Sequence, residues 1–254
     1  MAVRVLVLRA AGINCDEETA FAWERAGAFA ERVHVRRVIE SPATLYGYQI
    51  LTIPGGFSYG DDIASGRILG NQLAHHLGEA VSAFVDRGGL VLGICNGFQV
   101  LVRAGLLPGD DCPVRTTLTI NDSGRYVDRW VRLRADVTDC PFLEAGETFN
   151  MPVAHGEGKV LIEGGAAHLP AFEKTGRIAL RYVASDGGEP VFPENPNGSI
   201  GNAAGLIDDT GRILGLMPHP ERAMDACLFP DHIRDSSAET NGLKLFQRAV
   251  RHFK

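Results

Sequence analysis

Cys95 lies in Gly93-Ile94-Cys95-Asn96-Gly97, after an apolar run at 89–94 and before residues with helical spacing. A thiol between two glycines at a strand-to-helix turn has the form of a nucleophile elbow, where neighbouring backbone comes so close that a side chain would clash. The turn predicts a sulfur at a helix N-terminus, where partial positive charge favours thiolate over thiol. It also leaves the backbone N–H of Asn96 as a natural oxyanion donor. A thiolate that attacks a carbonyl needs an imidazole to take and return a proton, and a carboxylate to orient that imidazole. Met217-Pro218-His219-Pro220-Glu221 offers both groups two residues apart, with prolines that stiffen the turn. Pro54-Gly55-Gly56 would let backbone amides approach a ligand and supply a second oxyanion donor. Taken singly, each motif also fits something plainer: a buried cysteine in a tight turn, a solvated His–Glu pair, an ordinary turn. What joins them is position, since all three follow apolar strands.

The elements that must hold these residues can be read from periodicity. Residues 4–8 predict a buried strand, 10–14 a turn and 16–26 a helix with an acidic first turn. Strands are predicted at 33–39, 49–53 and 89–94, and helices at 73–84 and 98–107. Strands alternating with helices imply a mostly parallel sheet covered on both faces, whose ligands bind at the carboxyl ends of the strands. Beyond residue 107, strands are predicted at 129–137, 178–183, 203–207 and 213–217. Asp208-Asp209-Thr210-Gly211 should close a hairpin, and 241–253 reads as an amphipathic helix. Residues 1–254 are expected to form one domain.

The remaining histidines are less well placed. His75 and His76 fall in a predicted surface helix, and His34, His168, His232 and His252 have no partner motif. His155, in Ala154-His155-Gly156-Glu157-Gly158, competes for a role, because its glycine-rich loop could shape a ligand pocket. Cys15, Cys112, Cys140 and Cys227 lack the elbow setting and read as structural or incidental. The five cysteines show no C-x-x-C pair and no spacing that suggests zinc.

The chain of 254 residues is 45% hydrophobic and 22% charged, which suits a globular protein with a sizeable core. A net charge of −6 spread along the chain argues against a nucleic-acid partner. The N-terminus is too charged for a signal peptide and no apolar run reaches 18 residues, so a cytoplasmic protein without a membrane partner is expected.

Together the motifs resemble the class I (triad) glutamine amidotransferases, and among them the glutaminase subunits of phosphoribosylformylglycinamidine synthases. The resemblance runs over nearly the whole chain. It includes Gly12-Ile13-Asn14-Cys15-Asp16, Pro54-Gly55-Gly56-Phe57-Ser58-Tyr59-Gly60-Asp61, Gly93-Ile94-Cys95-Asn96-Gly97-Phe98-Gln99 and Arg129-Trp130-Val131. It continues through Ala154-His155-Gly156-Glu157-Gly158, Asn195-Pro196-Asn197-Gly198-Ser199 and Met217-Pro218-His219-Pro220-Glu221-Arg222. It implies a flavodoxin-like α/β domain with a nucleophile elbow. Cys95 would attack the carboxamide of L-glutamine, His219 would act as base and then acid, and Glu221 would orient His219. The N–H groups of Gly56 and Asn96 would hold the oxyanion, and Gln99 and the loop at His155 match family positions close to bound glutamine. The expected partner is a larger synthetase subunit that binds ATP and Mg, often with a small third subunit, while this chain itself needs no cofactor and no metal. The segment Asp62-Ile63-Ala64-Ser65-Gly66-Arg67 departs from the family pattern, and 108–122 and 225–239 carry no assignable role.

Three other readings compete. A cysteine peptidase or deglycase would not be expected to combine His-Pro-Glu at a late strand end with Pro-Gly-Gly. A non-catalytic regulatory homologue would be supported by loss of the cysteine or histidine, and both are present. A flavodoxin-like phosphate binder would need a Gly-x-Gly-x-x-Gly or P-loop run, which is absent.

Overall fold

The computed structural model describes residues 2–230 and 241–254; His232 and the predicted-unassigned residues 231–239 lie outside them. The first half builds the parallel part of the sheet from β1 (Arg4–Arg9), β2 (Phe29–His34), β3 (Ile50–Ile53) and β4 (Leu90–Ile94). Between them run α1 (Asp16–Arg25), α2 (Val35–Glu40), α3 (Arg67–His76) and α4 (Gly78–Asp86), and α5 (Asn96–Arg103) follows β4. The second half adds β5 (Thr116–Ile120), β6 (Val127–Ala135), β7 (Thr148–His155) and β8 (Glu157–Ile162). Then come α6 (Leu169–Glu173), β9 (Ile178–Tyr182), β10 (Ala203–Ile207), β11 (Ile213–Leu216) and α7 (Gly242–Arg251).

Nine strands form one sheet in the order β2-β1-β3-β4-β11-β10-β9-β6-β7, and β5 pairs with β8 in a second, two-stranded sheet. The pairs from β2 to β11 are parallel, and those from β11 to β7 antiparallel. β3 and β4 are buried along their whole length, as expected of strands covered on both faces. From β1 the chain crosses one way to β2, and from β3 it crosses the other way to β4. Right-handed crossovers in opposite directions put their helices on opposite faces, so α1 and α3–α4 sandwich the sheet. α7 packs beside α1, with Trp23 and Phe246 meeting edge to face at 4.8 Å, and Trp23 Nε1 donates to Thr52 Oγ1 beneath them. The hairpin turn at 208–211 joins β10 and β11 as the sequence predicts.

Several predicted elements differ. The strand expected at 33–39 ends at His34, and Val35–Glu40 is helical. Val35 and Val38 bury one face, His34 Nδ1 accepts the Arg36 N–H, and Arg36 pairs with Glu40 four residues on. The helix expected at 73–84 is two helices broken at Leu77, ahead of Gly78. The helix expected at 98–107 begins at Asn96 and stops at Arg103, ahead of Gly105 at φ 79°. The loop expected at Ala154-His155-Gly156-Glu157-Gly158 is a junction: β7 ends at His155, and the chain passes into β8 at Glu157.

Candidate active site

Cys95, His219 and Gly55 follow β4, β11 and β3, three neighbours in the parallel part of the sheet, so the order of strands brings them together at one edge. Cys95 has φ 51° and ψ −105°, a strained backbone that L side chains rarely adopt. Both flanking glycines are sterically required. A Cβ on Gly97 would collide with the Ile53 carbonyl, and one on Gly93 would stand 2.7 Å from the Gly97 oxygen. The elbow presses α5 against β3, and no side chain fits between them. As the first residue of α5, Asn96 has a backbone N–H with no intrahelical acceptor.

Gly55 gives the closest measure of convergence. A Cβ there would lie 2.9 Å from His219 Cε1, 3.2 Å from Cys15 Sγ and 3.5 Å from Cys95 Cβ. The turn is clamped from the other side by the N-terminal loop: Gly56, at φ 136°, bridges Ile13, and Phe57 N–H donates to Gly12 O at 2.9 Å.

His219 and Glu221 are buried, and His219 Nδ1 lies 2.6 Å from Glu221 Oε1. The backbone N–H of His219 donates to Pro152 O on β7, which pins the segment after β11 across the sheet end. Burial alone would depress the His219 pKa. The carboxylate of Glu221 and the neighbouring Cys95 outweigh it and raise the imidazole to about 10. The Cys95 thiol donates to Ala154 O at 3.6 Å and also interacts with the His219 imidazole. With Nδ1 taken by Glu221, Nε2 is the ring atom a proton transfer would use. The arrangement therefore brings together a thiol, an imidazole with a high proton affinity and a carboxylate against that imidazole, the groups that acyl transfer uses.

The other sequence-predicted residues stand around this core in different ways. Gln99 is buried; its amide donates to Glu157 O, and its oxygen accepts from Asn96 Nδ2 at 2.9 Å, so it ties α5 to β8. His155 is buried beside Gly158, and its Nδ1 meets Asn121 Oδ1 at 3.1 Å. Burial, helped by the charge of His219, lowers the His155 pKa to about 4. The two buried imidazoles are thus driven in opposite directions, and only His219 has a carboxylate partner.

Cys15 and Arg222, which sequence reasoning left without a role, belong to the same cluster. Cys15 Sγ accepts from Arg222 at 3.2 Å, and Arg222 also reaches Glu18 Oε1 at 2.8 Å. Cys15, Glu18, His219 and Glu221 offer ligand-type atoms within 4.8 Å of one another. The Arg222 guanidinium, bonded to two of the four, supplies positive charge to that group. Burial, and next the charge of Glu221, push the Cys15 thiol far above the usual range. The reactive thiolate form is therefore disfavoured at Cys15. A glutamine-analogue alkylating agent is expected to label Cys95 and to leave Cys15 unmodified in peptide maps. Label on Cys15 or Cys227 would put the nucleophile elsewhere.

The geometry agrees with relatedness found at the level of sequence and structure. Residues 2–253 match a family described as the CobB/CobQ-like glutamine amidotransferase domain. A protein of Dehalococcoides mccartyi named phosphoribosylformylglycinamidine synthase subunit PurQ is 41% identical over 98% of this chain and 97% of its own length. One of the same name from Methanococcus maripaludis is 38% identical over 98% and 97%. A chain in the solved structure of PurLQS from Thermotoga maritima is 31% identical, covers 100% of both chains and superposes with a TM-score of 0.75. With a match that spans all but the outermost residues, and relatives of this identity along their full length, the chain belongs to the CobB/CobQ-like glutamine amidotransferase family.

Proposed function

We propose that this chain, as a single domain, is the glutaminase subunit of a phosphoribosylformylglycinamidine synthase, acting in the cytoplasm. It hydrolyses L-glutamine to glutamate and delivers the ammonia to a larger synthetase subunit in purine biosynthesis. The observation that carries the reading is the meeting of Cys95, the buried His219–Glu221 pair and Gly55 at three adjacent strand ends. The names of the full-length relatives direct it to this synthase.

In the proposed reaction the Cys95 sulfur attacks the carboxamide carbon. The backbone N–H groups of Gly56 and Asn96 hold the oxygen as it gains charge. His219 takes the thiol proton and returns it to the departing nitrogen, so that ammonia leaves and a glutamyl thioester remains. Water, deprotonated by the same imidazole, then releases glutamate and restores the thiol. Glu221 keeps the ring oriented and stabilises its charged form, in line with the raised His219 pKa. ATP and Mg belong to the synthetase, and a small third subunit completes the proposed assembly.

Uncoupled hydrolysis would waste glutamine, so the isolated chain should be slow. Misplacement by about 1 Å at such a site can lower the rate ~100-fold. Adding the synthetase and its ribonucleotide ligand is expected to raise glutamine turnover at least ~10-fold, about 1.4 kcal/mol on the barrier. Glutamate release at fixed glutamine, with and without saturating partner, measures it. Full activity of the isolated chain, unchanged by the partner, would remove the coupling and leave the glutaminase chemistry.

A further inference from the structure

The segment that follows Gly55-Gly56 is under strain. Tyr59, Gly60 and Asp61 have φ of 55°, 75° and 53°, three successive residues in the left-handed region, two of them with side chains. Such a conformation persists only where its surroundings hold it, and it concentrates at functional sites. Here the holding groups can be named. Tyr59 N–H donates to Ala11 O at 2.7 Å, and Tyr59 Oη bonds Gln72 Oε1 at 2.9 Å. The remaining bonds lead to the residue beside the nucleophile. Ser58 N–H donates to Asn96 Oδ1 at 3.0 Å, and Asn96 Nδ2 donates to Asp61 Oδ1 at 3.1 Å. The same Asp61 oxygen accepts the N–H of Gly66, also at 3.1 Å, which closes residues 61–66 into a loop.

Asn96 thus does two things. Its backbone N–H is one proposed oxyanion donor, and its side chain is bonded to the strap 57–66. That strap is covalently continuous with Gly56, the other proposed donor. Asp61 is the junction: remove its oxygen, and both Asn96 Nδ2 and the Gly66 N–H lose an acceptor. A left-handed strap then has less to hold it against the elbow.

We infer that Asp61 is a positioning residue for the glutaminase reaction: its carboxylate locks the strap 57–66 to the Asn96 side chain and so sets the spacing of the Gly56 and Asn96 donors around the oxyanion. The inference rests on the glutaminase reading and extends it to a residue that touches neither the thiol nor the imidazole. The Phe-Ser-Tyr-Gly-Asp run, which carries no chemistry of its own, acquires a purpose from it.

The test compares two reactions of the same sulfur, using the chain in complex with its own synthetase. Glutamine hydrolysis develops an oxyanion, whereas alkylation of Cys95 by iodoacetamide is displacement at a saturated carbon and develops none. Loss of a single oxyanion donor costs ~100-fold or more in kcat, so Asp61→Ala, which loosens both without deleting either, is expected to lower kcat at least ~30-fold. KM should stay within ~3-fold, as for an interaction made in the transition state. The Cys95 alkylation rate should stay within ~2-fold, because the sulfur and its imidazole are untouched. Asp61→Asn should restore most of kcat, since its amide oxygen can accept the same two N–H groups. Should Asp61→Ala fail to fold, Asp61→Gly takes its place: glycine adopts the φ of 53° freely, removes the same acceptor and should lower kcat with alkylation unchanged. Wild-type kcat in the alanine variant overturns the inference, as does an equal fall in turnover and alkylation, or an asparagine variant no better than alanine. Absence of glutamate release by the wild-type complex would instead overturn the glutaminase reading, and this inference with it.

Discussion

Replacing Cys95 by alanine is expected to lower glutamine turnover by at least ~10⁴-fold, the scale on which a lost nucleophile acts when the rest of a triad remains. The fold should survive. Alanine has the same Cβ, so the strained φ of 51° is neither relieved nor made worse. The thiol's bond to Ala154 O is long, 3.6 Å, and its loss leaves at most a small void. About 1 kcal/mol would move the melting midpoint of a chain this size by ~2–4 °C. Turnover and a thermal melt on one preparation separate lost chemistry from lost structure. A variant within tenfold of wild-type rate would require another nucleophile.

His219→Ala should be nearly as damaging, ~10³-fold or more, with Glu221→Ala costing less, because groups acting as one unit fail together and the orienter is the most dispensable. The same substitution has a stability signature. The folded His219 pKa of about 10 lies above its ordinary value of 6.5, so the group's stabilisation is complete below 6.5 and lost as pH rises through about 10. Wild-type melting temperature should therefore fall across pH 6.5–10, and the decline should be smaller in His219→Ala. Removing the histidine also leaves the Glu221 carboxylate buried without its partner, with only the nearby Arg222 charge to offset it, so an overall loss of stability is expected as well. If His155→Ala proved more damaging to turnover than His219→Ala, the base assignment would have to be exchanged.

The meeting of Cys95, His219 and Glu221 was legible because their candidacy is written in local spacing. Gly93 and Gly97 flank Cys95 for steric reasons that any elbow shares, and His219 and Glu221 are two residues apart. What depends on distant partners was not. Cys15 meets the site through Gly55 and through Arg222, the latter more than two hundred residues away, and nothing in its own neighbourhood announces that. The strands β5, β7 and β8 were missed for other reasons. β7 carries Pro152, which argues against a strand unless the strand is an edge, and β7 is the last strand of its sheet. β5 is threonine-rich and pairs with a single partner, so its apolar signal is weak. His155 was read as part of a loop because two glycines surround it, yet the chain there passes straight from one sheet to the other. The segment 108–122, without an assignable role in the sequence, contains β5 and Asn121, whose side chain holds His155 and the N–H of Gly158.

The asymmetry between Cys15 and Cys95 is the part of the site with the broadest consequence. Both cysteines border Gly55, but the Cys15 thiol is held neutral by burial and next by the charge of Glu221, while Cys95 stands on the elbow. On the proposed reaction, acyl transfer occurs at Cys95 and not at Cys15, and that outcome can be seen directly. Mixing the complex with glutamine, quenching in acid within a turnover and mapping the peptides by mass spectrometry should reveal a glutamyl thioester on Cys95 alone. Glutamate accumulating with no adduct at Cys95, or with the adduct on a different residue, would contradict the account.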